Sequence, residues 1–220
     1  MPYPMIHLEV AYRLSGQHDW IEKKGDFLLG SVAPDAVHFH EKYDVHQKEI
    51  SHLWDCGPIW GVTMESEKWL NNIRTFWKQH RKDANRDFIA GYCTHLLTDW
   101  MNDQRMWAPF REKIIAGADY NKVYENSRYR EEAYGFDQWL YRTNPHTEMI
   151  WEFLSEGQAY ELTGYIQADD LARQKQSLLT EQYSGQKEYD IEQYECYTKE
   201  EIDSFIAECV GMIAAEISLV

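Results

Sequence analysis

His95 and Asp99 stand four residues apart in the stretch Phe88-Ile-Ala-Gly-Tyr-Cys-Thr-His95-Leu-Leu-Thr-Asp99-Trp-Met-Asn-Asp103, and Asp103 follows four residues later. On a helix of 3.6 residues per turn the three side chains share one stripe. A neutral imidazole nitrogen and a carboxylate oxygen aimed at one point are donors that a divalent ion takes up. A lone His and Asp at this spacing are also a common hydrogen-bonded or solvated pair. The metal reading therefore depends on what else the fold brings to the stripe.

Three stretches precede it. Pro4-Met-Ile-His7-Leu-Glu-Val-Ala11 carries one imidazole, Phe27-Leu-Leu-Gly30-Ser-Val-Ala-Pro34-Asp35 carries a Gly-x-x-x-Pro-Asp turn, and Ser51-His52-Leu-Trp54 carries another imidazole. In this order, His, Gly-x-x-x-Pro-Asp, His and His-x-x-x-Asp resemble the zinc-dependent phospholipase C family, whose wider fold includes fungal single-strand nucleases. The resemblance covers roughly residues 4–104. It implies a single all-α domain over residues 1–220, a helical bundle of the phospholipase C and nuclease type. It also implies hydrolysis of a phosphoric ester, phosphodiester or phospholipid head-group in kind. The implied metal ligands are His7, Asp35, His52, His95 and Asp99, with Asp99 bridging two ions and Asp35 doubling as a base for the attacking water. Two departures stand out. The family's mature N-terminal tryptophan ligand has no counterpart in Met1-Pro2-Tyr3, and its His-x-x-x-Glu pair is met only by Arg128-Tyr-Arg-Glu-Glu132. Arginine cannot ligate zinc. At most two ions are then expected, and Arg128 either contacts a substrate phosphate or forms an ion pair with Glu132 worth about 0.3–0.5 kcal/mol.

The five-residue set is rich in nitrogen, which favours zinc over Mg²⁺ or Ca²⁺, with Fe or Mn as the alternatives. Such a centre polarises a phosphoryl oxygen and lowers the pKa of bound water. Asp103 and Glu132 are candidates for orienting an imidazole from behind, or else solvated carboxylates on helix faces. His38 and His40 flank the Asp35 turn and either approach the site or face solvent. His18-Asp19 spells the doublet of helical HD-type phosphohydrolases, but beside Gly16 instead of inside an apolar helix. His46, His80 and His146 have no supporting context.

Helical periodicity dominates the chain and strand-like alternation is scarce. A first helix is expected to carry His7 and end near Gly16, and a loop with Gly25, Gly30 and Pro34 to deliver Asp35. Helices follow over 62–80 with Thr63 as N-cap, over 83–103, 120–141 and 146–157, and less distinctly over 171–183. Thr198-Lys-Glu-Glu201 matches a capping box. Ile202, Phe205, Ile206, Cys209, Val210, Ile213 and Ile217 form an apolar stripe of ordinary core type.

A chain of 220 residues with nine Trp, fifteen Tyr and eight Phe can bury one sizeable core. Its 37 acidic and 22 basic residues leave a net charge of −15, which argues against a nucleic-acid or anionic-membrane partner and leaves a small anionic phosphoester as the expected one. Cys56, Cys93, Cys196 and Cys209 show neither a thiolate zinc spacing nor a disulfide framework. With no apolar leader and no run of about 18 apolar residues, a cytoplasmic protein is expected. Three functions remain: a metal-dependent phosphoesterase, a metal-binding module of the same fold that has lost turnover, or an HD-type nucleotide phosphohydrolase. The last requires His18 and Asp19 as ligands.

Overall fold

The computed structural model describes residues 3–114, 128–196 and 198–218. Among them the fold is all-α: ten α-helices, with one isolated bridge between Leu162 and Ile166. In order these are α1 (Pro4–Ser15), α2 (Lys24–Gly30), a 3-10 segment (Ala33–Phe39), α3 (Val45–Ser51), α4 (Ser66–His80), α5 (Arg86–Asn102), a π segment (Asp103–Trp107), α6 (Ala108–Ile114), α7 (Arg128–Thr143), α8 (Thr147–Glu156), α9 (Ala168–Thr180), a 3-10 turn (Ile191–Gln193) and α10 (Lys199–Glu216). No described helix is long and apolar enough to cross a membrane.

Helix α5 is the axis. It is buried on all sides, with only Arg86 and Trp100 partly exposed, and α1, α2, α4 and α10 pack around it. Its residues at the tightest crossing are small. A Cβ on Gly91 would lie 2.0 Å from the Phe27 carbonyl oxygen, and one on Gly30 would lie 2.2 Å from that of Phe88. The two backbones of α2 and α5 touch because neither position carries a side chain. Gly91 precedes His95 by one turn and Gly30 precedes Ser31, so this crossing sets the Ser31 carbonyl against the His95 ring.

Helix α1 starts at Pro4, and its N-cap, Tyr3, gives no side-chain hydrogen bond. The acceptor for an N-terminal N–H comes instead from α7: Met5 N donates to Asp137 Oδ1 at 2.8 Å. That bond pins α1 two residues before His7. The end of α3 is pinned more heavily. Tyr92 OH donates to the Ser51 carbonyl, Trp69 Nε1 to the His52 carbonyl at 2.8 Å, and Asn72 Nδ2 to the Leu53 carbonyl at 3.1 Å. Leu53 adopts φ +53°, the left-handed region, which turns the chain off α3 directly after His52.

Several boundaries differ from those read in the sequence. The glycines at 25 and 30 lie in a helix, α2, because they serve close packing instead of a loop. Helix α4 begins at Ser66 after Glu65; Thr63 caps nothing there, and its hydroxyl accepts from Trp54 Nε1 at 3.2 Å. Helix α5 begins at Arg86 and does not stop at Asp103, where the chain continues through the π segment into α6. Of the helix expected over 120–141, residues 120–127 lie outside the described residues, and α7 runs from Arg128 to Thr143. The stretch expected from 171 is α9, three residues earlier. Helix α10 follows the expected capping box, with Thr198 accepting from Glu201 N and Glu201 from Thr198 N. Its stripe from Ile202 to Ile217 is buried in the single connected core.

Candidate metal centre

His95 Nδ1 lies 2.9 Å from the Ser31 carbonyl oxygen, and His52 Nδ1 lies 3.0 Å from that of Lys48. A carbonyl only accepts, so each Nδ1 carries a proton and each Nε2 is turned to the cluster. These two Nε2 atoms face one another at 3.2 Å. Two lone pairs at that separation repel unless a proton or a metal ion lies between them. Asp99, one turn after His95 on α5, turns Oδ2 to within 3.3 Å of His52 Nε2 and 3.4 Å of His95 Nε2. Asp35, from the 3-10 segment, places Oδ1 3.5 Å from His52 Nε2 and Oδ2 3.9 Å from His95 Nε2.

These separations have a meaning. Four donors bound tetrahedrally at 2.0–2.2 Å stand roughly 3.3–3.6 Å apart along each edge. The edges among His52, His95 and Asp99, 3.2–3.4 Å, match or nearly match, and Asp35 adds one oxygen 3.5 Å from His52 Nε2 and the other 3.9 Å from His95 Nε2. On the other side of Asp99, Oδ1 faces His7 Nε2 at 3.5 Å, and the His7 ring stacks on His95 at 3.9 Å between centroids and 9° between planes. The five donors form two overlapping groups, His7–His95–Asp99 and Asp35–His52–His95, each able to hold an ion. The two oxygens of Asp99 are divided between the two sides, as a bridging carboxylate requires.

The buried polar atoms point the same way. His7 Nδ1 and Nε2 and both carboxylate oxygens of Asp99 are buried without a hydrogen-bond partner. Such atoms are costly in a finished core. Burial lowers the pKa of His7 to about 3, assisted by His95, and that of His52 to about 4. Both rings are therefore neutral donors near pH 7. Burial also opposes charge on Asp99 and Asp35, yet His95 and His52 hold Asp99 well below its usual value, and Lys48 does so for Asp35. His95 alone is raised, because Asp99 and Asp35 outweigh its burial. The centre thus has a negative field focused on the His95 Nε2 position, which a proton or a metal cation satisfies. Of the five residues only Asp35 is appreciably open, with 23 % of its side chain exposed against 0–1 % for the others. Solvent meets the cluster on the Asp35 side. A surface cleft of about 700 Å³ lies between α3 and α4, around Trp54, Asn72 and Tyr165.

The remaining candidates go elsewhere. Asp103 is buried beyond Asp99, where it accepts from Gln104 Nε2 at 3.0 Å; burial raises its pKa against the pull of Thr63 and Arg111. It joins neither metal-competent group. Glu132 is buried too, but its Oε2 accepts from the backbone N–H of Glu195 at 2.9 Å and of Cys196 at 2.6 Å, so it anchors the chain before α10. Arg128, more than half exposed, pairs with Glu132 at 3.0 Å and with Glu195, the ion-pair arrangement of the two that the sequence offered. Asp19 is exposed and His18 packs near Trp20, so the doublet has no ligand geometry. His40 pairs with Asp170, His46 with Glu49, His80 with Asp83 and His146 with Glu9.

Sequence reading missed Lys48. Its Nζ donates to Asp35 Oδ1 at 2.7 Å and lies 3.1 Å from His38 Nε2, which brings His38 to the mouth of the site as well. The signal was present: Lys48 precedes His52 by four residues, one turn of the same helix. No family model, curated protein or solved structure matches the chain, and the geometry carries the functional argument.

Proposed function

We propose that this cluster holds zinc, one ion or two, and that the protein hydrolyses a phosphoric ester, as its likeness to the zinc-dependent phospholipase C pattern suggests. The observation that carries the reading is the convergence of His52 Nε2, His95 Nε2 and the oxygens of Asp99 and Asp35 at 3.2–3.9 Å from one another across the imidazole pair, with each imidazole held at Nδ1 by a backbone carbonyl. A bound zinc ion supplies Lewis acidity and acidifies a water molecule. The chain's own residues do the rest. The Ser31 and Lys48 carbonyls orient the two imidazoles. Asp99 supplies charge to both sides of the cluster. Asp35, the most exposed carboxylate of the cluster, is placed to accept a proton from water entering on its side. His18 and Asp19 belong to neither metal-competent group, which weighs against an HD-type reading, and a metal-binding module without turnover is the competing outcome.

The test is hydrolysis of a panel of nitrophenyl phosphate mono- and diesters, including a phosphorylcholine ester. Turnover is expected to rise with added zinc and to fall at least 100-fold in Asp35→Asn, in line with loss of a general base. Zinc binding without turnover on any ester would overturn the esterase reading and leave the binding module.

A further inference from the structure

Lys48 holds two ligands of the cluster at once. Its carbonyl oxygen accepts from the backbone N–H of His52 at 3.0 Å and from the His52 ring at Nδ1, also 3.0 Å. Its ammonium reaches back to Asp35 Oδ1 at 2.7 Å. It lies 5.4 Å from the centroid of the Trp60 ring, and Trp60 in turn stands edge-on to His52 at 5.0 Å. A surface Lys–Asp pair contributes about 0–1 kcal/mol and costs little to rearrange. This one is different, because Lys48 is only 8 % exposed. Burying an ammonium is expensive unless it is held in a fixed arrangement.

That arrangement bears on coordination. A carboxylate has two oxygens and can close on one ion with both. Both Asp35 oxygens face the cluster, Oδ1 3.5 Å from His52 Nε2 and Oδ2 3.9 Å from His95 Nε2, and the ammonium competes with an ion for Oδ1 alone. We propose that Lys48 is a positioning residue that restricts Asp35 to one oxygen at the metal, and so keeps a coordination position open on the solvent side, as a catalytic zinc site requires. The inference rests on the metal-centre reading above. It also sets an unusual sign. Removing a buried cation beside a metal removes repulsion, so Lys48→Met strengthens metal binding while it closes the site. A residue that only supported the fold would weaken binding when removed.

Cobalt(II) alone is the probe, added to the chelator-stripped full chain and followed by its visible absorption and by its dissociation constant. For Lys48→Met we expect affinity equal to or several-fold tighter than wild type, with the weaker absorption of a higher-coordinate ion. In an Asp35→Asn background, where a side-chain amide cannot close with two oxygens, Lys48→Met should leave the spectrum unchanged. Lys48→Gln, read the same way, serves if the methionine variant does not fold. An unchanged spectrum in an intact Asp35 background, or weaker binding with an unchanged spectrum, would overturn the proposal. Failure of the wild type itself to bind cobalt would instead overturn the metal centre beneath it.

Discussion

His95 makes a metal centre plausible only because of what stands behind it. The Ser31 carbonyl takes its Nδ1 proton, and Asp99, His52 and Asp35 surround its Nε2. Replacing His95 or Asp99 with alanine is expected to weaken zinc binding by well over 100-fold. His80→Ala should leave it intact, since His80 is spent on Asp83 at 2.8 Å; zinc retained equally by all three variants would contradict the assignment. Protonation gives a second expectation. The folded pKa values of His7 and His52, about 3 and about 4, lie below the ordinary 6.5, so the unfolded chain binds more protons in between. Metal-free stability from these two rings is present in full above about pH 6.5 and is lost as pH falls towards 3. Urea denaturation of the stripped protein across that range, compared with His7→Phe, reads this slope. At this scale the sequence was most legible where donors recur at helical spacing, as His95 and Asp99 do. It was opaque where the decisive partner was a backbone carbonyl, because Ser31 carries no metal-ligand signature, and Lys48 was marked only by its place one turn before His52.

Between elements the centre depends on contacts that bring α1, α2, α3 and α5 to one point. Gly91→Ala puts a Cβ 2.0 Å from the Phe27 carbonyl oxygen, and backbone cannot yield as a flexible side chain does. A loss of about 1–3 kcal/mol, typical of overpacking, is expected together with weakened zinc binding as Ser31 moves from His95. Zinc affinity unchanged in that variant would separate the crossing from the site. Asp137 anchors α1 from α7, accepting from Met5 N and from Tyr183 OH at 2.8 Å each. Burial raises its pKa to about 7, so here the folded state holds the proton longer than the unfolded chain. Its contribution to stability is fullest below about pH 4 and falls as pH rises to 7, opposite to the two imidazoles. Asp137→Asn should therefore steepen the rise of stability with pH over that interval, and an unaltered slope would count against it. Helix existence was readable from apolar stripes such as that of α10. The glycines of α2 were not, because a glycine at a helix crossing and a glycine in a loop look alike until the partner helix is known.

For the whole molecule, an all-α fold followed from periodicity and is what the structure shows, while short elements such as α3, with few apolar repeats, were invisible. The cluster joins residues from the N-terminal helix to the central one, so an ion bound there links distant parts of the folded chain and none of the unfolded one. Zinc at 100 times its dissociation constant should stabilise the fold by about 2.7 kcal/mol, which for a chain of this size raises Tm by roughly 5–10 °C. Chelation should reverse the gain, and a Tm indifferent to chelator would contradict the claim that zinc bridges these helices. The most direct test is calorimetric titration of zinc into the chelator-stripped chain and its His95→Ala variant, with zinc content confirmed by elemental analysis. The proposed zinc centre predicts at least one tightly bound zinc per wild-type chain and its loss in the variant; no binding to the wild type, or equal binding to both, would contradict it.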